Sequence, residues 1–177
     1  ELKARAARLM ESFIRELPEG TYLAEDWLDN DGISDQPLKI ALAITVKNGR
    51  MTLDFTGTAD ACMGPVNIAR STAVASCYVA LKHIFQDVPA NAGVLEPIDI
   101  ILPETSLLAV KAPKPVGGYT ETILRVIDTI FQAMAQIAPD RVNGCAYGTT
   151  NAISMAGYRK DGRRWVMFCF FGGGHGG

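Results

Sequence analysis

The sequence predicts an α+β fold: antiparallel β-hairpins packed with two or three long helices. Three observations point there. Alternating apolar runs flank an Asn-Gly pair at 48–49, and a second pair of runs flanks Asp-Gly at 161–162. Apolar stripes at helical spacing lie before and between the strand signals. Hairpins separated by helices favour antiparallel sheet over a doubly wound parallel one.

The first helix is set by Leu2, Ala6, Leu9, Met10, Phe13, Ile14 and Leu17, and Pro18 and Gly20 stop it. "TYLAEDWLDNDG" reads as a strand entering an acidic turn. Its Asp26, Asp29, Asn30 and Asp31 suggest calcium, but a loop begun at Asp29 would need a closing Glu at its twelfth position, where Ile40 stands. A solvated acidic turn is the expectation. Leu38, Ile40, Leu42, Ile44 and Val46 then alternate, as do Met51, Leu53 and Phe55. A two-residue type I′ turn at Asn-Gly sets Val46 opposite Met51, Ile44 opposite Leu53 and Leu42 opposite Phe55. Thr45 with Thr52, and Ala43 with Asp54, fall on the other face.

"NIARSTAVASCYVALKHIF" reads as a helix capped by Asn67, with Ile68, Ala75, Tyr78, Val79, Leu81 and Phe85 on its buried side. "IDIILP" and "SLLAV" read as short strands. "YTETILRVIDTIFQAMAQIAP" is the second long helix, with Thr120 as N-cap, Glu121 in the first turn and an apolar stripe through Ile123, Val126, Ile127, Ile130, Phe131, Met134 and Ile137. The closing hairpin, turned at Asp-Gly, pairs Tyr158 with Trp165, Ala156 with Met167 and Met155 with Phe168. Both faces of "WVMFCFF" are apolar, so this strand should be covered on both sides, and 177 residues are little to supply that cover. Residues 1–177 read as a single domain or as an internal segment of a longer chain, since both ends look like cuts.

Composition excludes several classes. Hydrophobic residues make up 48% and charged residues 20%, which is ordinary for a folded domain. A net charge of −2 offers no attraction for nucleic acid or an anionic membrane, and no apolar run is long enough to span a bilayer. Cys62, Cys77, Cys145 and Cys169 form no C-x-x-C pair, so reduced thiols and a cytoplasmic location are the expectation.

Motifs for chemistry are sparse. Gly172, Gly174 and Gly177 spell G-x-G-x-x-G, whose helix and acidic residue would lie beyond Gly177, but the strand before them is a hairpin arm, which argues against the βαβ unit of a dinucleotide site. His83 and His175 share no segment, so no self-contained metal site is expected. His83, near a helix C-terminus, is expected to be structural or exposed. Asp54 and Glu121 are carboxylates in Gly/Thr-rich surroundings suited to proton transfer or to bonding nearby amides.

Several strings in order resemble the hydantoinase B/oxoprolinase family: "DFTGTAD" (54–60), "GPVN" (64–67), "NAG" (91–93), "EPIDIILPETSLL" (96–108), "GGYTET" (117–122) with Arg125 and Asp128, "APDRV" (138–142), "GTTN" (148–151) and "FGGGHGG" (171–177). The resemblance implies an internal segment of a larger, multi-domain B-type subunit. It implies ATP-dependent ring opening of a cyclic amide such as N-methylhydantoin or 5-oxoproline. ATP would be bound by a hydantoinase A-type partner in a hetero-oligomer, which activates the substrate by phosphorylation. Carboxylation of a ketone, of acetone or acetophenone type, is the alternative within the family, and a non-catalytic assembly module is the alternative outside it. A divalent metal, where present, would take His and Asp ligands outside these residues. By motif position, the resemblance points to Asp54, Thr56, Glu121, Arg125 and His175 as catalytic candidates and to Asn67, Thr149 and Asn151 as substrate-binding ones. Asp54 or Glu121 would manage protons. Arg125 would pair with a carboxylate or phosphate-bearing intermediate. His175 is the weakest of the set, because members vary at its position. The isolated 177 residues are expected to be inactive.

Overall fold

The computed structural model describes residues 1–145 and 147–172. His175 therefore lies outside the described residues. Helix α1 (Leu2–Arg15) leads into strand β1 (Gly20–Leu28), followed by β2 (Leu38–Lys47), β3 (Arg50–Asp54), α2 (Arg70–Ile84), β4 (Ile98–Ile101), α3 (Tyr119–Ala135), β5 (Asn151–Tyr158) and β6 (Arg164–Phe171). Strands β1 to β4 form one sheet in that order, and β5 pairs with β6 in a second, two-stranded sheet. The fold is α+β. The main sheet is mixed: β1–β2 and β2–β3 are antiparallel, while β3–β4 is parallel. A parallel neighbour needs a long return path, and α2 lies within the connection from β3 to β4.

The first hairpin matches expectation residue for residue. Val46 faces Met51, Ile44 faces Leu53, Thr45 faces Thr52 and Ala43 faces Asp54. Asn48 (φ 52°) and Gly49 (φ 74°) are both left-handed, as a type I′ turn requires. Pairing ends one step early, at Ala43 with Asp54, because the β2 edge beyond it is taken by the next turn: the Ala41 amide donates to Thr58 Oγ1 (3.1 Å) and the Ala59 amide donates to Lys39 O (2.8 Å). Period-2 alternation then gives the sheet two different faces. Tyr22, Ile44, Leu53 and Ile100 form one row facing the core. Leu23, Ala43, Asp54 and Ile101 form a row on the outer face, where Leu23 and Ile101 are exposed.

Helix α3 packs on the core face of β1 and β2, α2 packs on α3, and α1 reaches β3. Met10, Ile14, Ile40, Leu53, Phe55, Leu81, Val126, Ile130 and Met134 join in one continuous core. In α2 the buried stripe is Ala73, Ser76, Cys77, Ala80, Leu81 and Ile84, not one through Ala75 and Val79, both of which are exposed. Small Ala and Ser residues stand on both the buried and the exposed side of this helix, so periodicity marks its core face weakly. Its N-cap is Ala69, with no side-chain cap. Likewise α3 starts after Gly118 rather than at Thr120. "SLLAV" is not a strand. Ser106 makes an isolated bridge to Asp60, and Leu107 and Leu108 are buried by turns.

The second hairpin departs by one residue. Trp165 faces Gly157, Met167 faces Met155 and Arg164 faces Tyr158. The cause is the turn. The Arg159 amide donates to Arg163 O (2.8 Å), the Gly162 amide donates to Arg159 O (2.9 Å), and only Gly162 is left-handed (φ 82°). That is a three-residue connection closed by a left-handed glycine, one residue longer than a type I′ turn.

Candidate functional site

The acidic turn after β1 is exposed at Asp29 and Asn30, as expected, but is anchored into the fold at Asp31. Asp31 is buried, and its carboxylate accepts from the amides of Ser34 (2.7 Å), Ile33 (2.9 Å) and Gly64 (2.9 Å). These amide bonds, led by that of Ser34, hold its pKa down at about 2. Gly64 passes so close to Asp31 that a Cβ there would sit 1.8 Å from Asp31 O. Asn67, two positions past the adjoining Pro65, is 0% exposed. Its Oδ1 accepts from the Cys62 amide, and its Nδ2 donates to Gly64 O (2.9 Å), Pro115 O (3.0 Å) and Cys62 O (3.2 Å). The side-chain amide of Asn67 is thus spent on the backbone. The Gly118 amide donates to Pro65 O (2.9 Å), and the Thr122 hydroxyl donates to Val66 O. This three-loop junction fixes where α3 begins, and so where Glu121 and Arg125 sit.

Those two side chains line a polar cavity of about 160 Å³ with Trp27, Leu28, Asp29, Tyr147, Gly148 and Thr149. Glu121 Oε1 accepts from the Thr150 amide (2.9 Å), tying the 147–151 segment to α3. Asn151 Nδ2 donates to Tyr147 Oη (3.2 Å) on the same segment. Arg125 donates to Asp26 Oδ2 (3.1 Å) from β1 and to Asp128 Oδ2 (2.5 Å) one turn on. Asp128 is 3% exposed. Burial pushes its carboxyl pKa up, against the pull of Arg125. The Cys145 thiol adjoins Asp128, and partial desolvation together with that carboxylate raises its pKa as well, although the residue is exposed overall.

Four of the expected site residues therefore gather here: Glu121, Arg125 and Thr149 line the cavity, and Asn151 braces its rim. Asp54 and Thr56 do not join them. Asp54 is on the outer sheet face, where its Oδ1 accepts the Thr56 amide (2.9 Å) in a local turn. His83 is exposed, with Nδ1 2.8 Å from Val79 O and its ring edge-on to Phe131. Asp26, which holds Arg125, matches no motif of the sequence, although its strand carries a signal. Tyr22, Ala24, Asp26 and Leu28 share one side of β1, which puts a carboxylate on the core side, where it needs a cation. Tyr147 had no such signal, because its place depends on the Glu121–Thr150 tie. Among the described residues, no cluster of three or more His, Cys, Asp or Glu side chains could hold a metal, and no helix is long and apolar enough to cross a membrane.

The hydantoinase B/oxoprolinase family model matches residues 1–177. The chain belongs to that family. An uncharacterized protein of Methanocaldococcus jannaschii is 36% identical over 155 residues, covering 86% of this chain and 26% of its own length. The putative B-type subunit of a D-/L-hydantoinase from a Pseudomonas species is 29% identical over 189 residues, covering 100% of this chain and 32% of its own length. Among solved structures, the ATP-dependent caprolactamase of Pseudomonas jessenii superposes with a TM-score of 0.74 at 19% identity, over 93% of this chain and 32% of that one. A nucleotide-free acetone carboxylase superposes with a TM-score of 0.78 at 12% identity, over 93% of this chain and 24% of that one. At those identities the two structures share the fold with this chain. The chain thus spans about a quarter to a third of the length of these relatives.

Proposed function

We propose that this chain is part of a B-type subunit of an ATP-dependent hydrolase that opens cyclic amides, acting with a separate ATP-binding A-type subunit or domain. The observation that carries the proposal is the convergence of Glu121, Arg125 and Thr149 on one polar cavity, in a chain matched throughout by a putative hydantoinase of B type. The cavity is small beside typical ligand pockets of about 300–1,000 Å³, so it holds one end of a substrate. Its charge indicates which end. Asp26, Asp29, Glu121 and Asp128 surround the single Arg125, whose guanidinium is already paired twice. A phosphorylated or carboxylate end would be repelled there, whereas an amide N–H can donate to Glu121. Glu121 then manages the proton of the ring nitrogen, and Arg125 holds the site together rather than gripping an anion. Phosphorylation by ATP falls to the partner. A divalent metal, if the full-length subunit uses one, takes ligands outside these residues.

The test is ATP consumption by the full-length subunit with its partner, comparing a hydantoin or oxoproline with a ketone plus bicarbonate. Stimulation by the cyclic amides is expected. Stimulation by the ketone alone would reassign the complex to carboxylation, and stimulation by neither would remove both readings. Glu121→Gln should lower ring-opening kcat by about 10²-fold or more, while Asp54→Asn should leave it within about twofold. Unchanged turnover in Glu121→Gln would favour a docking module.

A further inference from the structure

The β5–β6 hairpin is the one region whose apolar residues the described structure leaves open on both sides. Register separates its faces: Ile153, Met155, Trp165, Met167 and Phe171 share one, while Ala152, Ala156, Val166, Phe168 and Phe170 share the other. Met155 and Phe171 are exposed on the first face, and Val166 (62%), Phe168 (56%) and Phe170 (61%) on the second. Neither strand is hydrogen-bonded to the four-stranded sheet. A lone two-stranded hairpin is marginal in water, and strands apolar on both faces belong to sheets covered on both faces.

We propose that β5 and β6 are interior strands of a second sheet completed by further polypeptide of the same subunit, which adds flanking strands and a covering layer on each face. Two observations favour this occupant over a separate partner or a second copy. A partner docking on a finished surface covers one face, whereas here both are apolar and nearly free of charge, Arg164 being the only charged side chain on the two strands. The relatives, moreover, carry two to three times as many residues outside the matched segment as within it. The cavity depends on the same cover. β5 begins at Asn151, directly after Thr150, whose amide is held by Glu121. The covering layers thereby fix the Tyr147–Thr149 rim through the strand that leaves it. The cover on the hairpin is independent of the hydrolase reading.

Hydrogen exchange on the full-length subunit, without its partner and at low concentration, tests it. Amides of 151–158 and 164–171 should exchange at least about 10³-fold more slowly than unprotected amides, as should those of β2. Fast exchange there overturns the proposal. So does protection that develops only when the ATP-binding partner is added, or only as concentration rises, since the cover would then be another chain or a second copy. As a second measure, Met167→Lys on one face and Phe168→Lys on the other should each lower the full-length protein's Tm, with a drop of about 4 °C or more. An unchanged Tm in either variant shows that face to be solvent-exposed and overturns the two-sided cover.

Discussion

The two hairpins of this chain differ in what holds them. β2–β3 is the centre of a four-stranded sheet, with one face against the core and its other face mostly small or polar. β5–β6 has more aromatic residues and less burial, with both faces open among the described residues. A hairpin's turn and strand pattern therefore say that two strands will pair, while stability comes from what lies on them. The same contrast separates the candidate site from the rest of the molecule. Glu121 and Arg125 stand on a helix anchored by the buried Asp31–Gly64–Asn67 junction, whereas Tyr147 and Thr149 stand on the segment that leads into the uncovered hairpin.

The largest way to break that contrast is at the junction. Gly64→Ala should cost more than about 4 kcal/mol, because the new Cβ meets backbone that cannot swing aside. Equilibrium denaturation checks it, and a near-neutral result would mean that the close approach is not maintained. Next, Ile44→Ala in the buried hairpin should cost about 2–5 kcal/mol by the same measurement. Arg125→Ala should cost about 3 kcal/mol, since it strands Asp26 and the buried Asp128 without their cation. Asp128→Asn made in that background should recover part of the loss.

Acid provides a graded test. The Asp31 carboxyl titrates at about 2 in the folded chain, below its ordinary value near 4. Its contribution is therefore complete above about pH 4 and is lost as pH falls toward 2. In Asp31→Asn the denaturation midpoint should lie lower at neutral pH and fall less across that window. The smallest expected effect is in the open hairpin. Phe168→Lys in the 177-residue chain should change stability by no more than about 0.5 kcal/mol, because no core contact is removed. A large loss would mean that this hairpin, like the first, already has its cover.

Much of the candidate site was legible residue by residue and little of it as an arrangement. Glu121 was read correctly into the first turn of its helix, and Glu121, Arg125 and Thr149 do converge. Their cavity, however, needs Trp27 from β1 and Tyr147 from a loop 120 positions away, which no spacing rule connects. Asn67 read as a helix cap because its type and place suited one. It instead bonds Pro115 O, 48 residues on, a long-range contact that overrode a local preference. The β5–β6 register slipped because Asp-Gly fits both a two-residue turn and a longer one ending in a left-handed glycine.

By itself the sequence determined the α+β class, the first hairpin's register, the core stripe of α3 and the two-sided apolarity of β6. Each depends on periodicities of 2 or 3.6 residues and on a turn that only certain residues can make, all of which act within a few positions. Only the tertiary structure decided that β4 lies parallel to β3, that Asp31 is buried, and that Asp54 and Glu121 fall on opposite sides of the sheet. Those outcomes are set by contacts between residues 30 to 100 positions apart. There the free energy of packing and of satisfying buried polar groups exceeds any local preference.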